Sequence, residues 1–168
     1  GEAGIFVEQA PSADEGGLQP GDQIRISAVT GSGMFAPVIE GANGQPPAIT
    51  VLARPGLPEP RQITGRELSE PATDSDWVSI DAWVNEVLMQ DGDLILDCQA
   101  DSFGFHVLLE GPLSTVSVPW ELAESRVRIR GVAASTFNIS RQLTGRFLRV
   151  NSLADITPLG SAPNHLRE

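Results

Sequence analysis

Trp77-Val78-Ser79-Ile80-Asp81-Ala82-Trp83-Val84-Asn85-Glu86-Val87 opens the stretch that decides the fold, and Asp91-Gly92-Asp93-Leu94-Ile95-Leu96-Asp97-Cys98 completes it. Val78, Ile80, Ala82 and Val84 alternate with polar or bulky partners at a period of two, the signature of a half-buried strand. The parity then slips by one, because Val87 rather than Glu86 is the next apolar residue; a β-bulge produces such a slip. Asp91-Gly92 between two strand-like runs predicts a hairpin with a type I′ turn. Leu94, Leu96 and Cys98 continue as the return strand. Working outward, Phe103 to Leu109 reads as a third strand, Val127 to Val132 as a fourth and Gln142 to Val150 as a fifth. Asp155-Ile156-Thr157 extends the last. A helical turn is expected near Trp120-Glu121-Leu122, inside the connector between the third and fourth strands.

Five short strands in this order suit a five-stranded Greek-key barrel, the OB fold, and a bulged, bent first strand helps such a barrel to close. Upstream, Thr64 and Glu67 form a capping box at the start of a short helix ended by Pro71. Prolines at 55, 58 and 60 mark a stiff extended linker. Before it, short strands are expected at 4–8, 23–29, Met34 to Glu40 and Ile49 to Ala53, with turns at Pro20-Gly21 and Gly31-Ser32-Gly33. Gln23 to Thr30 lines up with Arg126 to Ala133, Met34-Phe35 with Thr136-Phe137, and Thr50-Val51-Leu52 with Asp155-Ile156-Thr157. This repeat spans roughly a hundred residues and indicates tandem domains rather than a solenoid.

The expected architecture is therefore all-β: two tandem OB-like barrels with short connecting helices, the first lacking its N-terminal strands. The expected division is an incomplete domain at 1–60, a linker with a short helix at 61–71, a complete domain at 72–160 and a polar tail at 161–168. An unfinished barrel leaves sheet edges open, which predicts dimerisation or strand exchange through the first domain.

Composition removes several chemistries. The 168 residues carry 22 acidic and 11 basic side chains, all of the latter arginine, for a net charge of −11. Absence of lysine excludes Schiff-base catalysis and lysine-dependent phosphate loops. The negative balance makes nucleic acid an unlikely partner. Cys98 is the one cysteine, so neither an internal disulfide nor a cysteine-rich zinc site is expected, and it reads as a buried strand residue. Asp91, Asp93, Asp97 and Asp101 depart from the calcium-loop pattern, and His106 and His165 are too far apart to suggest zinc. No Gly-x-Ser-x-Gly elbow occurs. No metal site, cofactor or catalytic residue is expected. No apolar run approaches the roughly 20 residues of a bilayer span, and no signal peptide is legible; a soluble piece of a membrane-tethered protein fits this pattern.

Charge is segregated. Glu67 to Glu124 holds 13 acids and no basic residue, whereas Arg126 to Arg149 holds six arginines and no acid. Pairing of the first and fourth barrel strands sets Asp81 against Arg128 or Arg130, which gives either a self-neutralising surface or an anion site on Arg126, Arg128 and Arg130. Trp83 shares that outward face and is expected to lie over a guanidinium, bind a sugar ring or cover an interface. Over the second and third strands and their flanking loops, where OB folds usually bind, Cys98–Val107 and the loop at Ala133–Thr144 supply the candidates Phe103, Phe105, His106, Phe137, Asn138 and Arg141, with the phenylalanines alternatively in the core.

Gly4-Ile5-Phe6-Val7-Glu8, Gly17-Leu18-Gln19-Pro20-Gly21-Asp22, Val29-Thr30-Gly31 and Phe35-Ala36-Pro37-Val38-Ile39 in the first half, and Trp77-Val78-Ser79-Ile80, Arg126 to Val132, Thr136-Phe137-Asn138 and Gln142-Leu143-Thr144-Gly145 in the second, carry a family likeness. Together they resemble the tandem OB-like segments in the extracytoplasmic sensor regions of bacterial membrane-bound histidine kinases, over about residues 4–158. The resemblance implies a non-catalytic input module at the periplasmic face of the inner membrane, binding a small ligand or protein partner and signalling by a change of packing between its two domains. A separate resemblance of Gly17 to Ile24 to a strand motif of PDZ domains in periplasmic proteases needs a helix soon afterwards, which Gly31-Ser32-Gly33, Pro37 and Gly41 oppose. A stand-alone carbohydrate- or oligonucleotide-binding OB protein, or an accessory module of a hydrolase, are the other classes the sequence admits.

Overall fold

The computed structural model describes residues 4–10, 17–33, 36–110, 118–140 and 142–161. The chain divides into two compact units, Gly1–Glu59 and Pro60–Glu168.

The second unit is built on the decisive stretch. β6 (Trp77–Gln90) and β7 (Asp93–Ala100) form the expected hairpin. Asp91 and Gly92 both take positive φ, 54° and 95°, as a type I′ turn requires. The register jumps from Val84↔Cys98 to Glu86↔Asp97, so Asn85 is the extra residue that the slip in parity predicts. β8 (Phe103–Leu109), β9 (Ser125–Phe137) and β10 (Leu143–Arg149) follow, with a 3-10 turn at Trp120–Leu122. β7 pairs with β8, β8 runs parallel to β10, β10 pairs with β9, and β9 returns to β6. This circuit, with the third and fifth strands parallel and the other pairs antiparallel, is the strand order of an OB fold.

Alternation along these strands sends one face inward. Val78, Ile80, Val84, Leu94, Leu96, Cys98, Val107, Val127, Ile129 and Leu148 are all buried in one core. Burial pushes the Cys98 thiol up to about 12, so it stays a neutral apolar group. β11 (Ile156–Ser161) adds an outer strand on β9, a longer extension than three residues suggested.

Residues 61–71 are not a linker. β5 (Arg61–Ile63) pairs in parallel with Val78–Ile80, and α1 (Gly65–Ser69) places Leu68, fully buried, in the core. The capping box is complete: Thr64 Oγ1 accepts from Glu67 N at 3.2 Å, and Glu67 Oε2 accepts from Thr64 N at 2.8 Å. That bond from the Thr64 backbone, then the one from its hydroxyl, holds the Glu67 carboxyl below its ordinary range.

The first unit contains β1 (Gln23–Ser27), β2 (Val29–Gly31), β3 (Val38–Glu40) and β4 (Ala48–Ala53). β1 pairs with β4 and β2 with β3, giving two separate two-stranded ladders. At 4–8 there is a single parallel bridge, Val7↔Ile39, rather than a strand. Met34 and Phe35 lie outside the described residues, as does the tail from 162. The second barrel implied by the repeat is not seen among the described residues. Ile24 and Ile26 alternate as Val127 and Ile129 do, yet they are only half-buried. Among the described residues, the three-residue strands β2 and β3 supply no second layer to cover them. The 3-10 turn Ala42–Gly44 stands where a PDZ fold needs an α-helix.

Candidate functional site

The outward face of β6 and β9 collects the charged candidates. Asp81 lies opposite Arg128 in the ladder and Trp83 opposite Arg126. Arg128 grips Asp81 with two bonds, Nε to Oδ1 at 2.7 Å and a terminal nitrogen to Oδ2 at 3.0 Å. Arg126 adds a third at 3.3 Å. Arg130 turns instead to the nearly buried Asp155 at 3.1 Å. Arg126, Arg128 and Arg130 therefore each have a carboxylate, and the self-neutralising surface is the arrangement the side chains adopt. Trp83 stands in this row 39% exposed.

These bonds make a pH prediction. The hydrogen bonds from Arg128, aided by the charges of Arg128 and Arg126, hold the Asp81 carboxyl below the usual carboxylate range, while partial burial opposes them. A depressed folded pKa contributes stability above the unfolded value, about 3.9, and that contribution is lost as pH falls through the folded value. The melting-temperature gap between the parent and Asp81→Asn is expected to be constant above about pH 5 and to shrink below about pH 4. Thermal melts from pH 7 to pH 2 check this; a gap that persists unchanged at pH 2 rules it out.

The outward face of β7, β8 and β10 is a second surface. Cross-strand register builds one row from Glu86, Asp97, His106 and Phe147, and the next from Leu88, Ile95, Leu108 and Arg149. His106 Nδ1 lies 3.7 Å from Asp97 Oδ1, an ion pair once the imidazole is protonated. Leu88 is 38% exposed, and Ile95, Leu108 and Phe147 are half-buried. Arg149 reaches Glu110 at 2.6 Å.

The remaining candidates lie elsewhere. Phe105 is in the core, and Phe103 packs against it from the end of β8. Phe137 ends β9. Asn138 organises the β9–β10 turn: its Oδ1 accepts from Ser140 N at 3.0 Å and Gln142 N at 2.9 Å, and its Nδ2 donates to Gln142 Oε1. Arg141 lies outside the described residues. In the first unit, a concavity of about 470 Å³ is lined by Glu8, Gln9, Glu40, Asn43 and Gln45. No cluster of three metal-ligating side chains occurs among the described residues.

Arg146 is the residue the sequence reading missed. It is almost fully buried, on β10. Nε donates to Leu68 O at 2.8 Å, one terminal nitrogen to Asp74 Oδ1 at 3.2 Å and to Ser135 Oγ, and the other to Glu70 O. Burial pulls its pKa down and Asp74 opposes this, but a guanidinium remains protonated. The signal was there in parity: Arg146 stands two residues before the buried Leu148 and must share its inward face.

No family model matches the sequence, and no curated protein matches it either. Solved structures similar in fold include an aspartyl-tRNA synthetase from Entamoeba histolytica, at 20% identity and TM-score 0.46, covering 86% of this chain and 29% of that one. An OBody bound to hen egg-white lysozyme matches at 19% identity and TM-score 0.44, covering 62% of this chain and all of the other. A murine DNA-binding protein bound with double-stranded DNA matches at 12% identity and TM-score 0.40, covering 83% and 70%. The chain spans less than a third of the synthetase chain. Among the described residues, no helix is long and apolar enough to cross a membrane.

Proposed function

We propose that this chain is a non-catalytic binding module whose second unit closes as an OB barrel and recognises a ligand or protein partner over the outward face of β7 and β8. The observation that carries the proposal is the half-exposed apolar row Leu88–Ile95–Leu108 beside the polar row Asp97–His106. An apolar strip flanked by a few orienting polar groups is what a recognition surface needs. The ladder circuit from β6 back to β6 supports the closed barrel. The groups with shifted pKa support a non-catalytic reading, because Asp81, Glu67, Arg146 and Cys98 are each accounted for by a structural partner or by burial. The sequence likeness to sensor-kinase input regions supports an extracytoplasmic setting, tethered to the bacterial inner membrane in a longer protein.

A screen of sugars, nucleotides and small anions by thermal shift, followed by NMR mapping of each hit, tests the module. Hits are expected to perturb the amides of Ile95, His106 and Leu108 and to be weakened by Leu108→Asp. Hits that map only to other surfaces, or no hit of any class, overturn it. An oligonucleotide bound tightly but lost steeply with salt overturns the expectation that nucleic acid is not the partner. A membrane span and a kinase domain in the flanking reading frame are the expected context.

A further inference from the structure

A further row on the outward face crosses β7, β6, β9 and β11 and holds Gln99, Trp83, Arg126 and Gly160, each directly opposite the next in register. Neighbours in such a row stand roughly 5 Å apart with side chains on the same side. We propose that this row binds an acidic sugar, a hexuronate unit of an oligosaccharide. Trp83 is 39% exposed, and an indole is a surface on which the C–H face of a pyranose ring stacks. Arg126 lies next to it and is 52% exposed at its side chain. It gives Asp81 one bond, at 3.3 Å, out of the five N–H donors of a guanidinium. Arg128 meanwhile fixes Asp81 by two shorter bonds, so Arg126 can turn to a ligand without leaving that carboxylate unpaired. Beyond Arg126, Gly160 has open space where a Cβ would stand, which leaves room for a carboxylate over the guanidinium. Gln99 flanks the indole on its far side and supplies an amide for ring hydroxyls.

Each feature narrows the occupant. An apolar ring face adjacent to a carboxylate matches the tryptophan–arginine pair, and hydroxyls on the same ring match Gln99. A neutral sugar leaves Arg126 unused, and an acidic peptide leaves the indole without a ring partner. Because none of Gln99, Trp83, Arg126 and Gly160 belongs to the apolar strip Leu88–Ile95–Leu108, substitutions in the row leave the proposed function standing.

The experiment is a calorimetric titration of the full chain with tetragalacturonate, alongside the neutral galactose tetramer and polyglutamate. Tetragalacturonate is expected to bind in the micromolar to millimolar range. Its affinity is expected to fall about tenfold or more in Arg126→Gln and in Trp83→Ala, and to weaken with salt. Arg66→Gln, on the helix, is expected to bind as the parent does, and a conservative Trp83→Phe to retain most of the affinity. Melting curves identify any variant that has lost its fold, in which case Arg126→Gln alone decides. No binding overturns the proposal, as do equal affinity for the neutral tetramer, tighter binding of polyglutamate, or affinity untouched by Arg126→Gln.

Discussion

Replacing Arg146 with methionine is expected to lower the melting temperature of the second unit by roughly 15 °C. Removing one member of a buried pair costs about 3–5 kcal/mol, because the other charge is left uncompensated. Asp74 keeps some exposure, which favours the low end of that range. Each kcal/mol corresponds to about 4–8 °C in a domain of this size. Asp74 loses its charged partner and keeps only the hydroxyls of Ser135 and Ser75, the Glu70 carbonyl keeps Thr73 N, and the Leu68 carbonyl at the end of α1 loses the Arg146 Nε donor. Methionine matches the length of the stem, so packing changes little and the loss reports the guanidinium. Lysine retains the charge, yet one ammonium does not reach three acceptors on opposite sides, so Arg146→Lys falls between parent and methionine. Adding Asp74→Ala to Arg146→Met is expected to recover part of the loss by removing the stranded charge. A drop under about 5 °C in circular-dichroism melts defeats this account of the network.

What the sequence showed depended on how local the cause was. The Asp91-Gly92 turn, the Asn85 bulge and the Thr64–Glu67 capping box each rest on residues within a few positions of one another, and each was read correctly. Asp81 against Arg128 follows from strand order, once five strands were counted. β5 was hidden because Arg61-Gln62-Ile63 is only three residues long and follows prolines; what makes it a strand is Val78–Ile80, more than a dozen positions away. The first unit misled for a related reason. Its alternation matches that of β9, but alternation sets which way side chains point and not whether another layer exists to cover them. Ile24 and Ile26 remain half-exposed in a two-stranded ladder, as the period alone cannot foretell.

The candidate site was legible to a different degree. Arginines at alternate positions left two readings open, a self-neutralising surface and an anion site. The folded chain sets one acid beside Arg126 and Arg128 and another beside Arg130, so the segregation of charge along the sequence becomes neutralisation in space. The same folding collects Leu88, Ile95 and Leu108 from three strands into one row that no linear window contains. Asn138 was a candidate because it stands in a loop flanking the strands over which OB folds usually bind. Its amide bonds to its own hairpin through both Oδ1 and Nδ2, a use asparagine serves in turns.

Gly65→Ala separates local from tertiary control more sharply than any of these. Helix propensity alone predicts stabilisation of up to about 1 kcal/mol, since Gly65 is the first residue of α1 and alanine is the better helix former. The fold predicts the opposite sign. A Cβ at position 65 stands 2.1 Å from the carbonyl oxygen of Ala100, an atom of the backbone that does not swing aside. Gly65 N also donates to Asp101 Oδ2 at 3.0 Å, so α1 is moored to the β7–β8 turn at the point of collision. Backing the helix away breaks that bond and withdraws Leu68 from the core. The expected cost is about 3 kcal/mol, roughly 15 °C in melting temperature, with the loss shared between overpacking and the broken anchor. Gly104→Ala is the matched control: its Cβ meets only Cys98 O, at 4.0 Å, so its melting temperature is expected to stay within a few degrees of the parent. If Gly65→Ala melts at or above the parent, α1 does not sit against Ala100, and the role assigned to residues 61–69 as part of the second unit falls with it.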